Sequence, residues 1–275
     1  MFGKLKQYVF SFYSINYIKV KTLKVLKFFD FKSVGESSIK LPKPIIVEHD
    51  GIKVVRDDLL DGGTKRRAFN VFVESFPDVQ EWVYASPREG YAQLSLAYAC
   101  HDLGKKATVT VPKGKHNWLT TEAIRLGCNI IEVPMGYLTN IQAKARYYVE
   151  ENEGAQLIPF GGDHPIIIEA MKNVALSLDI EPPKEVWTVM SSGVLSRGLQ
   201  LAWPDAKVYG VRIGHNTTER ERGRAETFLS KYKFNQECKE SERPPFPSSL
   251  TYDSKAWEFI KEHASEGALF WNVGK

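Results

Sequence analysis

Short apolar runs and longer stretches of helical spacing alternate along most of this chain, and that rhythm restricts the fold more than any other feature. "EWVYAS" at 81–86 is followed by "REGYAQLSLAYACHDLG" at 88–104, where Leu94, Ala97, Tyr98 and Leu103 share a helical face and Gly104 stops it. "ATVTVP" leads to "NWLTTEAIRLG", "NIIEVP" to "NIQAKARYYVEEN" and "QLIPF" to "PIIIEAMKNVALSL". "EVWTVMSS" leads to "LSRGLQLAW", and "KVYGVRIG" to "ERERGRAETFLSKY". Ahead of these, "PIIVEHDGIKVVRDD" sets two apolar runs around Asp50-Gly51 and predicts a hairpin, and "TKRRAFNVFVESF" predicts a helix. A polar, proline-bearing stretch, "NQECKESERPPFPSS", precedes a last helix, "SKAWEFIKEHA", and a closing strand, "ALFWNVG". The alternation predicts an α/β chain of mainly parallel strands with helices on both sheet faces. Ligands in such sheets sit beyond the carboxyl ends of strands, so the turns after residues 85, 160, 190 and 213 are where a site is expected.

The 275 residues suffice for one large or two small domains, and a net charge of +4 does not by itself call for nucleic acid. Cys100, Cys128 and Cys238 show no zinc spacing; no metal site is expected, and a reducing cytoplasm is the simplest setting. Residues 1–35 read as a basic-aromatic extension. Lys19, Lys21, Lys24 and Lys27 interrupt any apolar block that could serve as a signal peptide or membrane span. Such a segment is either an arm packed on its own domain or a partner subunit, or a surface for anionic lipid or nucleic acid.

Three turns carry residues suited to chemistry. "MSSGVLSRG" at 190–198 places small hydroxyl residues at a helix N-terminus, which suits a phosphate and equally suits an ordinary capped turn. "PFGGDHP" at 159–165 has paired glycines, Gly161 and Gly162, that admit close backbone approach to a ligand; taken alone it reads as a tight turn with Asp163 as N-cap. "ASPREGYAQ" at 85–93 clusters Ser86, Arg88, Glu89, Gly90 and Tyr91, and Arg88 with the turn's N–H groups can hold a carboxylate, although exposed arginines are common.

Lys65 discriminates among these readings. It follows Gly62-Gly63 in "DDLLDGGTKRRAF" at the expected start of a helix. A lysine desolvated there loses proton affinity and becomes a nucleophile able to form a Schiff base. Most lysines are solvated surface residues, so the constellation carries the argument.

The ordered segments "RDDLLDGGTKRRA", "ASPREGYAQ", "LIPFGGDHP", "SSGVLSRG", "LTYDSKAWEF" and "LFWNVGK" resemble the pyridoxal-phosphate enzymes of the tryptophan-synthase-β fold. The likeness runs from about Pro42 to the C-terminus and is nearest in look to the 1-aminocyclopropane-1-carboxylate deaminase and D-cysteine desulfhydrase branch. It implies two open, mainly parallel three-layer αβα sheets with pyridoxal 5'-phosphate between them. A large cofactor domain would comprise 36–80 and 156–275, and a small one 81–155.

By the same resemblance Lys65 would hold the cofactor as an imine and then act as base. Ser191, Ser192, Gly193, Val194, Leu195 and Ser196 would form the phosphate loop. Asp253 would meet the pyridine nitrogen, and Tyr252 would stand near the substrate. Ser86, Arg88, Glu89, Gly90 and Tyr91 would form the substrate turn. The implied activity is an elimination or deamination at the α-carbon of a small amino acid or amine, in a protein that is commonly a homodimer. Two further readings remain open. One is an amino group on a large carrier such as a modified nucleic-acid base; the other is an inactive binding relative recruited by residues 1–35. The chain departs from the family pattern at Gly90, Tyr91, Val194, Leu195 and the closing "NVGK".

Overall fold

The computed structural model describes residues 34–134, 136–214 and 216–275; the basic-aromatic segment, as far as Ser33, lies outside the described residues. The expected hairpin forms from β1 (Ile46–His49) and β2 (Ile52–Arg56). Asp50 and Gly51 take φ of 52° and 76°, the left-handed backbone that a tight two-residue hairpin turn demands. After it come α1 (Gly63–Glu74), β3 (Glu81–Ala85), α2 (Ala92–Asp102), β4 (Lys106–Pro112), α3 (Trp118–Arg125), β5 (Asn129–Val133) and α4 (Leu138–Glu151). The chain continues through β6 (Ala155–Leu157), α5 (Pro165–Leu176), β7 (Glu185–Met190), α6 (Val194–Ala202) and β8 (Lys207–Arg212). It ends with α7 (Glu219–Arg222), β9 (Glu226–Leu229), α8 (Trp257–His263) and β10 (Leu269–Asn272).

The strands make two sheets, in the orders β1-β2-β10-β7-β8-β9 and β5-β4-β3-β6. Every pairing is parallel except that of the hairpin. The smaller sheet ends at Leu157, where β6 pairs with β3. Strand alternation then sorts the core into layers. Val55, Val186, Leu269 and Trp271 from the larger sheet pack in one cluster with Trp82, Tyr84 and Val109 from the smaller sheet, and with Phe69, Leu96, Ile167 and Leu199 from the helices. Their immediate neighbours face the opposite way: Val54, Trp187 and Phe270 pack with Trp257 and Ile260 of α8, and Val83 and Ala85 pack with Ile141 and Ala145 of α4. Each sheet is therefore covered on both faces, which is why its strands read as near-continuous apolar runs.

One predicted element is corrected. "ERERGRAETFLSKY" does not form a single helix: α7 stops after four residues, where Gly223 takes φ 58°, and "ETFL" becomes β9, the edge strand beside β8. Glu221 and Arg222 are good helix formers, but Thr227 and Phe228 are strand residues with an open sheet edge in reach. α6 also begins one residue earlier than the expected "LSRGLQLAW", at Val194, since Gly193 in the left-handed conformation serves as its N-cap.

Candidate active site

The carboxyl ends of strands from both sheets deliver the residues of one cavity. Past β2 come Thr64 and Lys65; past β3, Pro87, Glu89, Gly90 and Tyr91; past β6, Phe160 and Gly161. Past β7 come Ser191, Ser192, Gly193, Val194 and Leu195, and past β10 comes Val273. Phe234, Ser249, Tyr252 and Asp253 complete this wall from the chain between β9 and α8.

The start of α1 is built to hold Lys65 still. Asp57, wholly buried, accepts from Arg67 Nε and Nη2 at 3.0 and 2.7 Å and from Thr64 Oγ1 at 2.8 Å. Trp271 Nε1 in β10 donates to the same Thr64 hydroxyl at 2.9 Å, and the Thr64 N–H donates to the Val273 carbonyl at 3.1 Å. Asp58 accepts from both Arg56 and Asn272. Arg66 pairs with Asp102 and lies over the Tyr98 ring. The cations flanking Lys65 are thus spent on structural partners. Gly63 sits at φ 63°, and a Cβ there would strike the Val273 carbonyl, so this approach of α1 to β10 needs glycine.

Lys65 lies in the first turn of α1, where there is no acid and where the helix dipole disfavours a cation. Burial lowers its pKa; the field of Asp253 opposes that shift and does not reverse it. Lys65 keeps some accessible surface on the cavity wall although protein surrounds it, so its amine is desolvated yet reachable.

Asp253 is fully buried, and neither carboxylate oxygen has a hydrogen-bond partner of proper geometry. Burial pushes its pKa well above the usual carboxylate range, though the N–H groups of Val273 and Gly274 lie near enough to ease the charge. An orphaned buried acid is costly and calls for a partner from outside the chain. Tyr252 shares this environment, and burial with the neighbouring Asp253 raises its phenol far above the ordinary range.

In the same cavity, β7 runs into the N-terminus of α6, whose first N–H groups have no intrahelical acceptor. Gly193 has φ 69°, and a Cβ there would strike the backbone carbonyl of Glu221. Gly193→Ala is therefore expected to destabilise the protein by roughly 1–3 kcal/mol and to displace this N-terminus, read out by urea unfolding. Anion affinity at the loop should fall with it, as measured by equilibrium dialysis of pyridoxal phosphate.

These features fit a flat aldehyde with an anionic tail. Lys65 supplies an amine, Ser191 to Leu195 supply hydroxyls and helix N–H groups for the tail, and Asp253 supplies an acid without a protein partner.

Several expected site residues stand elsewhere. Ser196 is buried, accepts from Gln200 Nε2 at 3.0 Å and does not line the cavity. Gly162 packs toward Phe69 and Ile167, leaving Gly161 alone on the wall. Ser86 turns its hydroxyl to the Pro87 and Gly90 carbonyls. Arg88, expected to hold a carboxylate, donates instead to the carbonyls of Lys115 and Lys113 at 3.0 and 2.9 Å and stays off the wall. Asp163 is not the cap of α5: His164 Nδ1 accepts from the Ile166 N–H, and Asp163 pairs with Arg197 and Arg220.

Sequence reasoning missed Tyr84, Phe160, Phe234 and Ser249. Tyr84 carried a usable signal, as the penultimate residue of a strand entering a βα turn. Its buried hydroxyl, with pKa pushed up to about 12, accepts from the Gly161 N–H at 3.1 Å, and its ring stacks on Phe160.

A family model described as "Pyridoxal-phosphate dependent enzyme" matches residues 82–267. No curated protein matches in sequence. Among solved structures, an ACC deaminase homologue is similar at a TM-score of 0.74 and 15% identity, covering 87% of this chain and 91% of its own. A threonine deaminase of T.th. is similar at a TM-score of 0.63 and 18% identity, over 81% and 86%. A hydrogen sulfide-producing enzyme of Fusobacterium nucleatum is similar at a TM-score of 0.63 and 12% identity, over 89% and 97%. At such identities the likeness speaks for the fold: two parallel sheets of the tryptophan-synthase-β kind.

Proposed function

The chain belongs to the pyridoxal-phosphate-dependent enzyme family, and from that premise we propose that it acts at the α-carbon of an amino acid or amine as an elimination- or deamination-type lyase. The observation that carries this reading is one cavity wall holding a desolvated lysine and an orphaned buried acid, with an open helix N-terminus beside them. Similar structures include a threonine deaminase and a fungal L-serine ammonia-lyase, enzymes of this class of reaction.

When bound, pyridoxal phosphate supplies an aldehyde that captures amines and a ring that accepts the electron pair released at the α-carbon. Lys65 would hold it through Nζ, and the same nitrogen, when free, would serve as the base for the substrate's α-proton. Its lowered pKa favours the neutral amine that both tasks need. Ser191, Ser192 and the backbone of Gly193 to Leu195 would hold the anionic tail. Asp253 would face the ring nitrogen and share a proton with it, giving the carboxyl a partner that the chain does not supply. Tyr252 keeps its phenol proton at neutral pH and gives it to the departing group. Glu89, Gly90 and Tyr91 face the substrate. Phe160 and Phe234 keep water from the reacting carbon.

The test is a visible titration with pyridoxal phosphate. A saturable band near about 410–430 nm, shifting when amines are added, is the expected result. Protein that stays colourless at saturating cofactor overturns the reading. Three buried free cysteines accord with a cytoplasmic setting. The lysines interleaved with aromatics in residues 1–35 favour one second reading, an amino group carried on a nucleic-acid base. Nucleic-acid binding with a steep salt dependence, lost on deleting those residues, would support it.

A further inference from the structure

Charge on the cavity wall is lopsided. Among the described residues that line it, Lys65 is the one cation, while Glu89 and Asp253 are both acids. Asp253 lies on the Lys65 side, since its field is the one that reaches that amine. Glu89 is not among the charges that shift that amine, and its field reaches Lys255. Neither nearby cation answers Glu89 directly. Arg88 is fastened to the Lys113 and Lys115 carbonyls. Lys255 stands behind the wall, with Nζ donating to the carbonyls of Lys233 and Phe234 at 2.8 and 3.2 Å. Glu89 has no ion pair or hydrogen bond among the described residues.

A ligand whose reacting amine reaches Lys65 therefore shares the cavity with a second acidic residue, one that no described side chain ion-pairs. A half-buried carboxylate repels an anionic side chain and attracts a cationic one, more strongly than the same pair would in open water. Thr64, Ser95 and Ser249, which also line the cavity, add no charge.

We propose that the substrate carries a second cationic group, an ammonium or guanidinium beyond the reacting amine, and that Glu89 binds it. This rests on the reading that Lys65 receives the cofactor aldehyde. Basic amino acids and diamines form the substrate class; acidic amino acids are excluded by the same charge.

The experiment titrates cofactor-loaded protein with isosteric pairs, lysine against 2-aminoheptanoate and putrescine against pentylamine. Affinity is read from the visible spectrum and independently by calorimetry. The cationic member is expected to bind about tenfold tighter or more, with the preference shrinking as salt rises. Glu89→Gln should bring the pair to within about threefold, chiefly by weakening the cationic member's binding, while the cofactor band persists. Equal or better binding of the neutral member to wild type overturns the proposal, as does a preference that survives Glu89→Gln, or binding of neither member. A wild type without a band fails before any amine is added, and that result strikes the Lys65 reading and this proposal with it.

Discussion

Lys65→Ala is expected to fold as well as the wild type, to bind pyridoxal phosphate without the band of a lysine-bound aldehyde, and to lose about 10³-fold or more in turnover. The retained fold follows from what the side chain does in the apo protein. Its ammonium is disfavoured by burial and by the positive end of α1, so removing it relieves a cost. The anchors of α1 lie on other residues, with Asp57, Thr64, Arg67 and Trp271 joined in one buried network. Alanine is also the better helix former. The melting temperature should be unchanged or slightly raised. Activity should fall steeply because one nitrogen serves both as anchor and as base. Lys65→Arg should fare no better in turnover, since a guanidinium stays protonated and cannot attack the aldehyde. A Lys65→Ala protein that keeps the band, or keeps turnover within tenfold, would place the reactive amine elsewhere.

The architecture was legible because parallel sheets write themselves plainly. Strands covered on both faces are continuous apolar runs, and the helices between them are long enough to show their period. The exception, "ERERGRAETFLSKY", fails for a physical reason: its helical charges and its strand-forming "ETFL" are joined at Gly223, and only the open edge of β8 decides the outcome. The site was legible where backbone and position set it. Lys65 behind paired glycines and the turn after β7 are such places. It was illegible where a long side chain chooses among partners. Arg88 sits in the right turn, but the Lys113 and Lys115 carbonyls are within its reach and claim its guanidinium. Phe234 and Ser249 come from a segment without periodicity, so no local pattern announces that they close the wall.

Asp253→Asn should separate stability from function in opposite directions. In the cofactor-free protein the Asp253 carboxyl is buried with no hydrogen-bond partner, and its folded pKa stands well above 3.8. Between the unfolded and the folded pKa the native state holds a proton that the unfolded chain has released. Stability supplied by that proton is intact below about pH 4 and is lost as pH rises toward the folded value. Asparagine has no proton to lose. The variant is therefore expected to be more stable than wild type by about 1–3 kcal/mol at neutral pH, and to lack the decline that wild type shows on going up from pH 4. Urea unfolding of both proteins at several pH values reads this directly. Lys65 responds as well: Asp253 raises its pKa, so the variant's amine should titrate lower still, and its reaction with the cofactor aldehyde should persist to lower pH. Function should move the other way. An amide cannot share a titrating proton with the ring nitrogen, and turnover should fall about 10²-fold or more while the cofactor band remains. If Asp253→Asn left turnover unchanged, the acid would have no part in tuning the cofactor. If it destabilised the cofactor-free protein, the N–H groups of Val273 and Gly274 would have to be true partners of the carboxylate, and its burial would need no outside group to explain it.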